Sequence, residues 1–241
     1  MAPTTTLITD HNTVHVWWAS LDIDGNALNT CRALLSNEER PKVARFCAER
    51  DALHYIAVRG CLRLMLGRYL GVAPQQLAFV YGIHGKPRLR ARGGVQQLEF
   101  NLSHSGGIAL CAVARQRRIG VDVERQRDIA EWLSIAQTYF AREELDSLAS
   151  LSPADEVTRF IKLWTQKEAY IKGLGRGLSY PLQQFCIPYS QVGEPVLFYD
   201  RHDPQQQGRW QFHDLHLSND HLATIAVEGA GCLIQLNAWT W

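Results

Sequence analysis

The stretch IGVDVERQRDI, residues 119 to 129, limits the possible folds more than any other part of this chain. Read as a strand, it turns Val121 and Val123 to one side and Asp122 and Glu124 to the other, because strand side chains alternate with period two. The valine face must be covered by a core. The acid face sets two carboxylates side by side, and the groups that hold them there must come from another element.

The chain is long enough to supply both. Its 241 residues, 46% of them hydrophobic, can bury a substantial core as one large domain or two modest ones. The 25 basic and 24 acidic residues leave a net charge of +1, which offers no global attraction to nucleic acid or an anionic membrane, so any basic site must be local. The N-terminal MAPTTTLITDHNT lacks a basic segment followed by an apolar run, and no window approaches the roughly 18 apolar residues of a membrane span, which makes cytoplasmic residence the expectation. Cysteines 31, 47, 61, 111, 186 and 232 form no CxxC pair and sit mostly in apolar runs, the pattern of small buried hydrophobes in a reducing compartment. His213 and His216, three apart in a strand-like run, face opposite sides and make no metal pair.

Along the chain, VHVWWASLD reads as a strand and the material from residue 34 to Gly71 as helical, with Ser36 and Glu39 spaced as a capping box and Gly71 as a stop. FVYGIHGKPRL and LEFNLSHSGGIALCAVARQ read as short strands joined by Gly and Pro turns. After the IGVDVE strand, residues 128 to 149 and 154 to 175 read as helices, and VLFYD, WQFHDLHLS, HLATIAVEG and LIQLNAWTW as closing strands. The order of elements therefore repeats, and LSHSGGIALCAV at 102 to 113 echoes LSNDHLATIAV at 217 to 227. The expected architecture is mixed α+β with two similar subdomains, residues 1–116 and 117–241, divided at the charged RQRRIG and facing each other across a cleft.

The partner for Asp122 and Glu124 is expected on FIKLWTQKEAYIKGLGRG, where Trp164, Lys167, Glu168 and Lys172 share one side of a helix. A solvated Glu168–Lys172 pair is the plain alternative, and Trp164 on the same stripe argues against it. The glycines of GLGRG follow the helix instead of opening it after a strand, so they read as a helix stop and not a nucleotide fingerprint. Asp122, Glu124 and Glu168 together form an oxygen set that suits Mg2+, which takes few carboxylates and completes its octahedron with water and phosphate. DxE on a strand is a common pattern by itself. The anion donors strengthen it: Lys86 in the GKPRL turn and Ser103 with His104 in NLSHS would neutralise a pyrophosphate opposite the metal.

Taken in order, GKP, FNLSHS, IGVDVE and WTQKEAYIKGLGRGL resemble the Sfp-type 4'-phosphopantetheinyl transferases over roughly residues 15 to 185. That resemblance implies a pseudo-twofold pair of α/β subdomains with coenzyme A in the cleft between them. It implies transfer of the phosphopantetheine arm to a serine of an acyl or peptidyl carrier protein, with Mg2+, releasing adenosine 3',5'-bisphosphate. Residue by residue, it makes Asp122, Glu124 and Glu168 the metal ligands. Lys86 and Pro87 would border the adenine and 3'-phosphate, Ser103 and His104 would contact the phosphates, and Lys172 would hold the pyrophosphate oxygens. Arg50 matches a position that binds the 3'-phosphate in some members, with Lys42 as a second candidate. No motif is matched after about residue 185.

The chemistry expected from the resemblance is attack of the carrier serine on the β-phosphorus, with Glu168, directly or through a water, as base, and Lys172 and His104 stabilising the developing charge. Two subdomains already complete a cleft, so a monomer is expected. The competing classes are a coenzyme A or carrier-binding protein without catalysis, a Mg2+-dependent nuclease or nucleotide phosphatase, and an interaction domain. The first leaves clustered like charges without a purpose, the second usually carries a broad basic surface, and the third leaves the motif set unexplained.

Overall fold

The computed structural model describes residues 10–90, 98–187 and 199–241. Strand β1 (Thr13–Ser20) leads into helix α1 (Gly25–Leu34), where Asp24 caps the first turn by accepting from the Ala27 N–H at 2.8 Å. Helix α1 was not among the expected elements, although Asp24 ahead of GNAL is an N-cap signal. The helical material after it divides into a single turn, α2 (Arg40–Val43), and the long α3 (Glu49–Leu70). The Ser36–Glu39 box is present: the Ser36 N–H donates to Glu39 Oε2 at 2.9 Å and the Glu39 N–H to Ser36 Oγ at 3.3 Å. Gly71, at φ +63°, ends α3 in the left-handed conformation that a side chain would disfavour.

Strands β2 (Phe79–Tyr81) and β3 (Pro87–Leu89) make a small hairpin, followed by β4 (Leu98–Ser105), β5 (Ile108–Arg115) and β6 (Ile119–Arg125). Helices α4 (Trp132–Tyr139), α5 (Arg142–Ala149) and α6 (Pro153–Leu174) come next, then β7 (Phe185–Cys186), β8 (Tyr199–Asp200), β9 (Trp210–Ser218), β10 (His221–Glu228) and β11 (Leu233–Ala238). Of the expected VLFYD strand, only Tyr199 and Asp200 fall within the described residues. No helix among the described residues is long and apolar enough to cross a membrane.

The fold is mixed α and β, and its two main sheets follow one plan. The first has the order β11-β1-β5-β4 and the second β6-β10-β9. In each, a leading strand is followed in the chain by a long helix, α3 or α6, and then by a hairpin whose second strand pairs antiparallel with the leader. The echoing segments LSHSGG and LSNDHL occupy the same place in the two hairpins, β4–β5 and β9–β10. Strand β11 returns from the end of the chain to lie parallel to β1, with Thr13 opposite Leu233.

One apolar cluster draws on both sheets. Val16 of β1 and Leu110 of β5 meet Val121 and Val123 of β6 and Ile225 of β10, all buried. Helix α3 covers the other face of the first sheet through Leu62, Met65 and Leu66, while Tyr170 of α6 packs on Trp210 and Phe212 of β9. The valine face of β6 is thus committed to the core, and its other face is left for α6.

That second contact is unusually close. A Cβ added at Gly120 would overlap the carbonyl oxygen of Ala169 and come within 2.9 Å of Gly173 Cα, so the strand and helix backbones approach to a distance only glycine permits. Asp122 lies two residues along the same face, which is how α6 is brought over the carboxylates. Gly120→Ala is therefore expected to force strand and helix apart and to cost about 3 kcal/mol, the upper end of overpacking penalties. Urea unfolding of the variant measures this, and an unchanged midpoint would refute the close-approach account.

Candidate active site

Three residues of β4, each two apart, bond to β6. Asn101 Oδ1 accepts the Val121 N–H at 2.9 Å, Ser103 Oγ donates to Asp122 Oδ1 at 2.7 Å, and Ser105 Oγ donates to Glu124 Oε2 at 2.7 Å. Both strands alternate with period two, so the S-x-S of β4 can meet the D-x-E of β6 rung for rung, while Asn101 takes a backbone N–H of β6. The groups that hold the two carboxylates side by side are therefore hydroxyls as well as a cation. Ser105 and Asn101 were absent from the residues expected at the site. The signal for them is the polar alternation of NLSHS itself.

The cation comes from α6. Lys172 Nζ lies 2.5 Å from Asp122 Oδ1 and 3.0 Å from Ser103 Oγ, and Glu168, one turn earlier, faces the same acids. Lys167 does not share that face, contrary to the expected stripe. It is fully buried on the opposite side of the helix, 2.8 Å from Glu144 Oε2 and 2.9 Å from the carbonyls of Leu182 and Phe185. Trp164 turns toward Tyr139 of α4. The reason is angular: at 3.6 residues per turn, positions five apart are about 140° apart around the axis, too wide for one face of a helix packed on several sides.

Every carboxyl here is pushed toward protonation. Burial raises the Asp122 pKa against the pull of Lys172 and Ser103, and burial raises Glu124 with the Asp122 charge adding to it. Glu168 reaches about 7 because burial, helped by Asp122 and Glu124, outweighs the attraction of Lys172. His104 is exposed at the end of β4, yet the protein close around its ring lowers its pKa, and Lys172 adds to that shift.

Could these residues hold a divalent cation? Asp122 Oδ2 and Glu168 Oε1 are buried without a hydrogen-bond partner, the condition of oxygens that a cation would satisfy. Among the described residues no three His, Cys, Asp or Glu side chains converge into a finished metal cage. The partnerless oxygens are the feature that fits Mg2+, which takes few carboxylates and draws its remaining ligands from water and substrate phosphate.

Of the three carboxylates, Glu168 lines a cleft of about 430 Å³, and Asp122 lies buried behind it. Its walls are Tyr55 and Arg59 of α3, Tyr81, Lys86 and Pro87 of the β2–β3 hairpin, His104 of β4, and Glu168 and Lys172 of α6. The aliphatic stem of Lys86 lines this space, but its ammonium turns inward and donates to the carbonyls of Ile119 at 3.3 Å and Gly173 at 3.1 Å. Burial lowers its pKa to about 8. The amine thus ties the hairpin to β6 and to the carbonyl end of α6, where a cation is favoured. Arg50 stands on the first turn of α3, outside the cleft lining, exposed and 3.4 Å from Asp22. Lys42 lies over the Tyr81 ring, 5.0 Å from its centre. Of the residues expected at the site, Asp122, Glu124, Ser103, His104, Glu168 and Lys172 come together, Lys86 and Pro87 border them, and Arg50 stays apart.

Comparison with known proteins bears on the same elements. The model of the 4'-phosphopantetheinyl transferase superfamily matches residues 118–226, and that of the 4'-phosphopantetheinyl transferase N-terminal region matches residues 24–116. 4'-Phosphopantetheinyl transferase HetI of Nostoc sp. is 36% identical over 229 residues, covering 95% of this chain and 92% of its own. 4'-Phosphopantetheinyl transferase Sfp of Bacillus subtilis is 31% identical, covering 71% of this chain and 75% of its own. The L-aminoadipate-semialdehyde dehydrogenase-phosphopantetheinyl transferase of Xenopus laevis is 26% identical over 82% of this chain and 69% of its own. The acids of β6 and the cleft-facing side of α6 lie inside the first matched region, and likeness to HetI runs nearly end to end; this chain belongs to the 4'-phosphopantetheinyl transferase superfamily.

Proposed function

We propose that this enzyme transfers the 4'-phosphopantetheine arm of coenzyme A to a serine of an acyl or peptidyl carrier protein, dependent on Mg2+, as a cytoplasmic monomer that needs neither nucleic acid nor membrane. The observation that carries the reading is the junction of α6 with β6, where Lys172 reaches the buried Asp122 while Glu168, Lys172 and His104 line one cleft. The division of labour follows the two halves, 1–116 and 117–241. The first offers the coenzyme its hairpin wall, and the second offers the acids.

In this mechanism the carrier serine Oγ forms a bond to the β-phosphorus of coenzyme A, and the bond from that phosphorus to the bridging oxygen breaks, so adenosine 3',5'-bisphosphate leaves. The serine proton passes to Glu168, whose pKa of about 7 suits a base at neutral pH. Lys172 and His104 face the phosphate oxygens and offset their growing charge. Pro87 and the stem of Lys86 border the adenine, and Arg50, which stands outside the cleft lining beside Asp22, would have to leave that pair to reach the 3'-phosphate. Asp122, Glu124 and Glu168 would hold Mg2+, which when bound supplies charge neutralisation for the pyrophosphate. The buried, partnerless oxygens of Asp122 and Glu168 support that assignment.

Mass spectrometry of apo acyl carrier and apo peptidyl carrier proteins incubated with the enzyme, coenzyme A and Mg2+ tests the reading. A phosphopantetheine adduct on the carrier serine, lost when EDTA is added, is the expected result. Coenzyme A binding without an adduct on either carrier would instead favour a binding protein without catalysis.

A further inference from the structure

The hydroxyls of β4 are engaged in a way that the transfer chemistry alone does not require. Ser103 Oγ receives a hydrogen bond from Lys172 Nζ at 3.0 Å and gives one to Asp122 Oδ1 at 2.7 Å. Ser105 Oγ receives the Arg125 N–H at 3.2 Å and gives to Glu124 Oε2 at 2.7 Å. A serine hydroxyl has one proton, free to rotate, and a donor fixed against its lone pairs settles where that proton points. In both residues it points at a carboxylate of β6. Asn101 anchors the row at its other end through the Val121 N–H.

We propose that Asn101, Ser103 and Ser105 form a seam that sets the orientation of the Asp122 and Glu124 carboxylates for a divalent cation, so that the two serines act as positioning residues. The inference rests on the metal assignment made above and adds the residues that tune it. Its physical basis is the constraint on each carboxylate. A carboxyl group turns about its bond to the chain unless one oxygen is held, and holding Asp122 Oδ1 leaves Oδ2 as the oxygen without a partner. Groups that orient metal ligands in this way change metal affinity about 10- to 100-fold when removed. The seam also crosses from the edge of the first sheet to the edge of the second, so the metal ligands on β6 take their geometry from β4.

The contact that separates this role from general packing is the hydroxyl of Ser105, which is half-buried and can be removed with little change in volume. Ser105→Ala and Ser105→Thr would be compared with the unaltered enzyme and with Asp122→Asn. Mn2+ is titrated into the full chain and free Mn2+ is followed by electron paramagnetic resonance. Coenzyme A affinity is measured separately in EDTA. The expected result is Mn2+ binding weakened about tenfold or more by Ser105→Ala, restored by Ser105→Thr, with coenzyme A affinity in EDTA unchanged. Equal Mn2+ binding by Ser105→Ala and the unaltered enzyme would overturn the seam, as would equal weakening in the Ala and Thr variants. If Asp122→Asn binds Mn2+ as the unaltered enzyme does, the metal assignment itself fails and the seam with it, an outcome distinct from a loss confined to Ser105.

Discussion

Glu168→Gln is expected to reduce carrier modification by about 10²- to 10⁴-fold, the contribution of a positioned general base, while the protein stays folded. Glutamine keeps the size of the side chain but cannot take a proton from the carrier serine. It also removes one of three mutually repelling acids, since Asp122 and Glu124 both help to raise the Glu168 pKa to about 7. The rate of the unaltered enzyme should therefore climb with pH and level by about 7, or at lower pH where a bound cation favours the Glu168 carboxylate. The residual rate of the variant should lack that step. Stability moves the other way. The folded pKa lies above the ordinary glutamate value of 4.5, so the folded state holds more protons between 4.5 and about 7, and stability falls as pH rises through that window. That fall should be shallower in Glu168→Gln. Adduct formation followed by mass spectrometry across pH, with thermal melts at the same pH values, checks both. Full activity of the variant would end the case for Glu168 as base.

Lys167→Met should lower stability by about 3–5 kcal/mol, the cost of stranding one partner of a buried ion pair. Lys167 and Glu144 have side chains 0% and 1% exposed. Glu144 also accepts the N–H groups of Ala141 and Ile187, so it ties the start of α5 and the strand end after Phe185 to α6. Without the ammonium, Glu144 keeps a charge or a proton in an apolar site, and the Leu182 and Phe185 carbonyls lose their donor. The double variant Lys167→Met with Glu144→Gln removes the stranded charge and should recover a large part of the loss. Urea unfolding of the single and double variants decides this. A neutral Lys167→Met would mean that the pair contributes nothing to holding α6, and hence nothing to placing Glu168.

Much of this molecule could be read from neighbouring residues. The alternation of IGVDVE, the Ser36–Glu39 box, the stop at Gly71 and the hairpin turns are local patterns, in which each residue's role depends on residues one to four positions away. The acids of the site are legible for the same reason. Period two places Asp122 with Glu124, and a step of four residues places Glu168 with Lys172. What local periodicity left undecided is which group each polar atom meets. Lys167 and Lys172 looked alike on a helical wheel, yet one is sealed against Glu144 and the other faces Asp122. Lys86 looked like a free cation in a turn, and its ammonium is held by carbonyls of residues 119 and 173. Ser105 belongs to the polar alternation of NLSHS, but the acid it meets was settled only when β4 lay beside β6.

By itself, then, the sequence determined the main strands and the long helices α3 and α6, though not α1 or the break between α4 and α5, together with the acid and lysine residues and the kind of chemistry they suit. Only the tertiary structure decided that α6 could approach β6 closely enough to use them, that β4 would steady the acids, and that β11 would return beside β1. The physical reason is distance along the chain: these contacts join residues from 19 to more than 200 positions apart, and their partners are chosen by packing of whole sheets and helices, which no window of neighbouring residues contains.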